Sequence, residues 1–113
     1  MARILLADDR GERRSMIQRA LGELRHDVVA VSSVREAEDH RWEVAFDFER
    51  KPRLVILGIA FVHWACEHHA GVPRLAVLNG ETLPRKLARA GVHVLREPIT
   101  PEDLRKALEL LGL

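Results

Sequence analysis

Short apolar runs alternate along this chain with longer segments in which apolar residues recur at helical spacing. Five of the runs predict strands, at residues 3–7, 27–31, 54–59, 75–78 and 93–95. The first and third runs are continuously apolar, which is typical of strands buried on both faces of a sheet. Strands that alternate with helices over short connections indicate an α/β fold with a parallel sheet between helical layers.

Five helices are predicted between and after these strands. The first, residues 12–24, places apolar residues on one face and arginines opposite, and we expect Arg10, Arg13 and Arg14 to be solvent-exposed there. The second begins at a capping box from Ser33 to Glu36 and ends before Pro52. Two short helices follow at 60–69 and 84–90. The last begins at Pro101, after an N-cap threonine.

Polar residues gather at one end of the predicted sheet. In doubly wound folds, binding sites lie outside the carboxyl ends of the strands. These ends are occupied by the pair Asp8-Asp9 and by Gly58, Asn79 and Glu97. We therefore expect the functional pocket at this end of the sheet.

Composition narrows the class of protein without naming a function. A length of 113 residues fits one domain spanning 1–113, and a formal charge of +1 gives no electrostatic reason to expect nucleic acid or membrane as a partner. The single cysteine rules out an internal disulfide and fits a reducing cytoplasm. No apolar stretch is long enough to span a bilayer. We expect a cytoplasmic protein that binds neither nucleic acid nor membrane.

Three motifs together resemble the receiver domain of two-component response regulators. The first strand runs into the acidic pair as Ile-Leu-Leu-Ala-Asp-Asp, residues 4–9, and the third is approached by Lys-Pro-Arg-Leu-Val, residues 51–55. Residues 95–104 follow the family's junction between its fifth strand and fifth helix. The resemblance covers essentially the whole chain. It implies a flavodoxin-like, doubly wound sheet of order 2-1-3-4-5 with helices on both faces, and a cis bond before Pro98.

The chain departs from the family where the family's chemistry resides. By resemblance, Gly58 stands in place of the phosphoacceptor aspartate, Asn79 in place of a threonine or serine, and Glu97 in place of a lysine. We call Asp8, Asp9, Gly58, Asn79, Glu97 and Pro98 the acidic pocket. Phosphoryl transfer needs a carboxylate nucleophile, a metal ion and cationic or hydrogen-bonding partners for the phosphoryl oxygens. The sequence therefore predicts a pseudo-receiver that is neither phosphorylated nor an enzyme.

The electrostatics of this pocket can also be predicted. Asp8, Asp9 and Glu97 converge without the family's lysine, so we expect mutual repulsion that a Glu97→Lys substitution would relieve. We expect no cofactor, because Mg²⁺ prefers near-octahedral oxygen ligation and two carboxylates supply little of it. A Mg²⁺ ion held by Asp8 and Asp9 alone is the alternative.

The leading functional hypothesis is a phosphorylation-independent signalling domain that acts by protein–protein interaction. Receivers communicate through the face formed by their fourth helix, fifth strand and fifth helix, which the resemblance places at residues 85–96 and 101–111. We call this the docking face, with candidate contact residues Arg85, Arg89, His93, Arg96 and Arg105. Its partner would be another protein of the pathway or a second copy of the chain.

Two other sites compete with this hypothesis. The first is a small-molecule- or metal-sensing pocket in the space that Gly58 leaves open. The second is a zinc site, because His63, Cys66, His68 and His69 fall within seven residues and such side chains bind zinc. A short helix with solvent-facing histidines explains the second pattern more simply.

Overall fold

The computed structural model describes residues 2–38, 52–68, 71–89 and 91–113 of the chain. Five strands form one parallel sheet in the order β2-β1-β3-β4-β5. Their bounds are β1 Arg3–Ala7, β2 Asp27–Val31, β3 Leu54–Gly58, β4 Arg74–Leu78 and β5 His93–Arg96. The predicted α/β class, strand order and parallel pairing are confirmed, with strand ends shifted by one residue at most.

The helices also follow the predicted segments. They are α1 Gly11–Glu23, α2 Val34–Glu38, α3 Val62–His68, α4 Arg85–Arg89 and α5 Pro101–Leu110, with a 3₁₀ turn at Ile59–Phe61 before α3. The remainder of the predicted second helix, residues 39–51, lies outside the described residues. No helix in the described segments is long and apolar enough to cross a membrane.

Alternation along the central strands divides the core into two layers. Leu5, Ala7, Val55 and Leu57 face one side of the sheet, where the 3₁₀ turn contributes Phe61 and the helices α2, α3 and α4 contribute Ala37, Trp64, Ala65 and Leu87. The residues between them, including Ile4 and Ile56, face the other side, where α1 and α5 contribute Ile17, Leu21, Leu104 and Leu108. Because successive strand side chains point to opposite faces, continuous apolar runs supply both layers at once.

Side-chain caps at Ser33 and Thr100 fix two helix starts. The predicted N-cap at Thr100 forms a complete capping box, whereas the box predicted from Ser33 to Glu36 is incomplete. The Thr100 hydroxyl accepts a hydrogen bond from the Asp103 backbone N–H, and the Asp103 carboxylate accepts one from the Thr100 backbone N–H. At α2 the Ser33 hydroxyl accepts from the Glu36 backbone N–H, while the Glu36 side chain reaches back to Ser32 rather than Ser33. These caps set where the chain leaves the carboxyl end of the sheet.

The strand β5 is less buried than the centre of the sheet. It is an outer strand that pairs only with β4, and its residues His93, Val94 and Arg96 are exposed. The central strands β1 and β3 are buried almost throughout. The centre of the sheet is thus buried, with the acidic pocket at its carboxyl end, and β5 is one of the two outer strands of the described sheet.

Candidate functional site

Asp8 and Gly58 meet at the carboxyl end of the sheet, as the sequence predicts. β1 and β3 pair in register through Ala7 and Leu57, so the next residue of each strand lies beside the other. A Cβ atom built on Gly58 would lie 2.9 Å from the Asp8 Oδ1 atom. Gly58, which by resemblance stands in place of the phosphoacceptor, therefore adjoins Asp8.

Arg13 occupies the space beside Gly58. Its Nε donates to Asp8 Oδ2 at 2.6 Å and its Nη2 donates to Asp8 Oδ1 at 2.8 Å, which is a two-pronged guanidinium–carboxylate pair. The Arg13 side chain is 4% exposed and that of Asp8 is 1% exposed. The Cβ built on Gly58 would also lie 2.9 Å from Arg13 Nη2. The space that a residue-58 side chain would take is filled by this guanidinium.

The expectation that Arg13 belongs to a solvent-exposed face is therefore wrong. Arg13 precedes Ile17 by four residues and Leu21 by eight, so all three lie on the same face of α1, and this face packs on the sheet. Because Arg13 sits in the first turn of α1, it reaches past the end of β1 instead of entering the apolar layer. Of the other two arginines, Arg10 is exposed as expected and Arg14 is partly buried.

Asp8 is saturated by donors. Besides both Arg13 bonds, Asp8 Oδ1 accepts from the Arg10 backbone N–H at 3.1 Å, and the Asp8 main-chain oxygen accepts from Arg14 Nη1 at 2.8 Å. Its own N–H donates to the Val31 carbonyl at 3.1 Å. A divalent cation would have to displace Arg13 to reach either carboxylate oxygen. The residues present do not fit the Mg²⁺ ion that the receiver resemblance implies.

Glu97 faces the same guanidinium from the opposite side. Arg13 Nη1 donates to Glu97 Oε1 at 3.4 Å, and Arg10 Nη1 lies 4.0 Å from Glu97 Oε2. The expected repulsion between Asp8 and Glu97 is overturned, because a buried cation lies between the two carboxylates. The hydrogen bond to Asp8 raises the pKa of Arg13 above its ordinary value, burial opposes this, and the charges of Asp8, Glu97 and Glu81 add to the rise. Arg13 is therefore a permanent cation.

Local hydrogen bonds fix the loop that follows β4 at the edge of the pocket. The Asn79 backbone N–H donates to the Glu81 carboxylate oxygens at 2.9 and 3.1 Å, and Arg96 Nη1 donates to the Glu81 carbonyl at 3.1 Å. The loop after β4 is thus folded back and tied to β5. Asp9 is exposed, so only one member of the acidic pair enters the buried network. The Glu97-Pro98 bond is cis, as predicted.

Comparison with solved structures identifies the architecture. The receiver domain of a modulated diguanylate cyclase from Desulfovibrio desulfuricans G20 superposes with a TM-score of 0.78 at 17% identity, covering 98% of this chain and 93% of that one. The chemotaxis response regulator CheY4 of Vibrio cholerae gives 0.73 at 24% identity, covering 98% of both chains. This chain has the receiver fold.

A response-regulator receiver domain from Clostridium thermocellum is similar in the same way, with a TM-score of 0.73 at 18% identity over 98% of this chain and 94% of that one. No protein-family model and no curated protein matches the sequence. The chain thus shares the receiver fold with these proteins at 17 to 24% sequence identity.

Four of the five candidate contact residues of the docking face are exposed. Arg85, Arg89, His93 and Arg96 are all exposed. Arg105 is partly buried and forms ion pairs with Glu102 and Glu109 of its own helix, so much of its charge is already balanced. Of the five candidate contact residues, Arg105 is the least available to a partner.

The pocket proposed for a small molecule at Gly58 is not open. Arg13 fills it, and the cleft of about 680 Å³ nearby lies outside this position, between the start of α1 and the segment around Asn79 and Glu97. Among the described residues, no group of three histidine, cysteine or acidic side chains is placed to hold a metal ion. For the predicted zinc cluster, His63 is exposed, while the side chains of Cys66, His68 and His69 lie outside the described part of the chain.

Proposed function

We propose that this chain is a phosphorylation-independent, receiver-like signalling domain that acts through protein–protein interaction. The observation that carries the proposal is the buried Arg13–Asp8 pair beside Gly58. This arrangement argues against phosphoryl transfer for two reasons. Residue 58 has no side chain that could act as the nucleophile, and the space beside it is occupied by the buried Arg13 guanidinium.

The charge distribution supports the same conclusion. A receiver that accepts a phosphoryl group needs a carboxylate to attack phosphorus, a divalent ion to screen charge, and a cation to balance the product. Here residue 58 has no carboxylate, Arg13 holds both oxygens of Asp8, and Glu97 brings a negative charge to the family's lysine position. The nucleophile is therefore missing, the carboxylate that would bind the metal ion is already bonded to Arg13, and the charge at the family's lysine position is reversed. We infer a non-enzymatic domain that requires no cofactor.

The proposed output surface is the docking face on α4, β5 and α5. Arg85, Arg89 and His93 are exposed, and their side chains form no hydrogen bond or ion pair with the described residues. A partner with an acidic surface, in the cytoplasm, fits this basic face best, because complementary charge speeds association and selects among partners. A second copy of the chain fits less well, since like charges would oppose each other across a symmetric contact.

The first experiment tests the chemistry. The protein is incubated with Mg²⁺ and acetyl phosphate, and separately with beryllofluoride, and then examined by intact mass spectrometry and amide NMR. We expect no mass increase and no change of the pocket resonances, because residue 58 offers no nucleophile. A receiver that retains its phosphoacceptor is treated in parallel to show that the reagents are active.

A stoichiometric acyl-phosphate adduct on Asp8 or Asp9 would contradict the proposal. The protein-interaction part is tested separately by charge reversal of Arg85 and Arg89. The matched control is Arg35→Glu, an exposed position on α2, which contacts the outer strand β2 at the other edge of the sheet. A physiological partner that binds the double variant and the control equally well would show that the docking face is not the output surface.

A further inference from the structure

We propose that Arg13 is a resident cation that takes the place of a divalent ion and keeps a latent cation site closed. The inference rests on the proposed function, because a domain without phosphoryl chemistry has no need to exchange its cation. It extends that function by assigning to one side chain the charge balance of the whole pocket. The receiver resemblance implies a metal ion here, and the side chains reject it.

The first step of the argument is geometric. Among the described residues, Arg13 is the only cation that donates to the Asp8 carboxylate. Its Nε and Nη2 atoms donate to Asp8 Oδ2 and Oδ1, at 2.6 and 2.8 Å. Its third nitrogen, Nη1, points to Glu97 at 3.4 Å. One guanidinium therefore bridges two carboxylates that come from opposite ends of the sequence, which is the arrangement a small divalent cation would otherwise create.

The second step concerns charge. Without Arg13, the buried carboxylate of Asp8 and the partly buried one of Glu97 would face each other, with only the 49%-exposed Arg10 side chain near Glu97. Uncompensated oxygen ligands of this kind are what Mg²⁺ and Ca²⁺ bind. Arg13 thus has two roles: it neutralises the carboxylates, and its volume denies an ion access to them.

The third step connects the pocket to the docking face. Glu97 follows β5 directly, its backbone N–H donates to the Leu78 carbonyl at 2.8 Å, and α5 begins four residues later at Pro101. Arg13 therefore ties the first turn of α1 to the connection between β5 and α5. A fixed internal cation holds this connection in one arrangement, whereas an exchangeable ion would not.

The test compares side chains at position 13 by thermal melting with and without MgCl2. Arg13→Met keeps the length of the side chain without its charge, Arg13→Lys keeps the charge without the fork, and Arg19→Met is the exposed control on the same helix. Each protein is melted in about 10 mM MgCl2 and in NaCl of the same ionic strength, so that general screening cancels.

We expect Arg13→Met to melt lower than the wild type in NaCl and to gain about 4 °C or more in MgCl2. The wild type, Arg13→Lys and Arg19→Met should gain no more than about 1 °C, because a cation already occupies the site or the site is untouched. Adding Glu97→Gln to Arg13→Met should reduce the gain, since one ligand is lost. If Arg13→Met does not fold, Arg13→Gln provides the same comparison with a neutral hydrogen-bond donor.

Two results would overturn the inference: a Mg²⁺ gain in the wild type as large as in Arg13→Met, or no gain in a folded neutral variant beyond that of Arg19→Met. These results are separable from failure of the proposed function. Phosphorylation of the wild type would contradict the proposed function whatever the melting data show. An Arg13→Met protein indifferent to Mg²⁺, with an unmodified wild type, would contradict the inference alone.

Discussion

The acidic pocket and the docking face lie at neighbouring places on the same sheet but differ in how their charges are used. In the pocket, Asp8 and Arg13 are almost fully buried, and they satisfy each other. On the docking face, Arg85, Arg89 and His93 are exposed and project from a short helix and an outer strand. One region uses its charges to close itself, whereas the other leaves its charges available.

This difference indicates which charged residues contribute to stability and which are available for binding. A buried pair whose members are mutually bonded is strongly destabilised when one partner is lost, so it acts as part of the core. Exposed charges contribute little to stability and are therefore free to serve recognition. Under the proposed function, the pocket is a structural part of the fold and the docking face is the surface that binds a partner. The following substitutions test that division, beginning with the largest expected effect.

Asp8→Asn should be the most damaging conservative change in the pocket. It preserves the shape of the side chain but leaves the buried Arg13 charge without its main partner, for an expected loss of about 3 kcal/mol or more in the free energy of unfolding. Urea denaturation monitored by circular dichroism measures the loss. Asp9→Asn is the matched control, and because Asp9 is exposed it should change stability by less than about 0.5 kcal/mol. Equal losses of stability for Asp8→Asn and Asp9→Asn would show that Asp8 does not have the buried structural role assigned to it.

Gly58→Ala tests the packing of the pocket. The new Cβ would lie 2.9 Å from both Arg13 Nη2 and Asp8 Oδ1, and these atoms are bonded to each other, so neither can retreat without weakening that bond. We expect a loss of about 1 to 3 kcal/mol. In a double-mutant cycle with Arg13→Met, the second substitution should relieve part of this loss. Strict additivity in denaturant titrations would mean that Arg13 does not occupy the space beside residue 58.

Glu97→Lys should destabilise the domain by about 1 kcal/mol near neutral pH. It replaces an attractive contact with Arg13 by repulsion between two cations, whereas Glu97→Gln removes only the attraction and should have a smaller effect. The sign is opposite to the one expected from sequence alone. Thermal melting of the wild type, Glu97→Lys and Glu97→Gln at low salt provides the measurement. If Glu97→Lys melts at a higher temperature than the wild type, the repulsion expected from the sequence is present after all.

Charge reversal on the docking face should have the smallest effect on stability. Arg85→Glu and Arg89→Glu change exposed positions with no described partner, so each should alter the free energy of unfolding by no more than about 0.5 kcal/mol. Denaturation curves of both variants, compared with that of Asp8→Asn, test the division directly. A loss of several kcal/mol would show that this face also serves the fold.

Sequence analysis was sufficient for the architecture because the fold depends on patterns that are local and repeated. The continuous apolar runs at β1 and β3 and the cap at Thr100 specify buried strands and a helix start without reference to distant residues. The place of the pocket was predictable for a similar reason. In parallel sheets the carboxyl ends of neighbouring strands lie together, so Asp8 and Gly58 had to meet.

The content of the pocket was harder to predict, because it depends on how far one side chain reaches. Arginines on a helix are ordinarily exposed, and the spacing of Arg13 to Ile17 and Leu21 was the only signal that it belongs to the buried face. Together with Gly58, this spacing predicts the position of Arg13. Because Gly58 has no side chain, it leaves room at the end of the sheet for the long side chain of Arg13 from α1. If Arg13 is left out, Asp8 and Glu97 are expected to repel each other, whereas in the structure both carboxylates are attracted to the guanidinium between them.

The contact between Gly58 and Arg13 also restricts how this sequence can change over time. A side chain cannot be added at position 58 unless the guanidinium withdraws, and the guanidinium cannot withdraw without exposing Asp8 and Glu97 to each other. A single replacement at either position 13 or position 58 therefore gives a less stable protein. The two positions are constrained as a pair, and a larger residue at position 58 requires a smaller one at position 13.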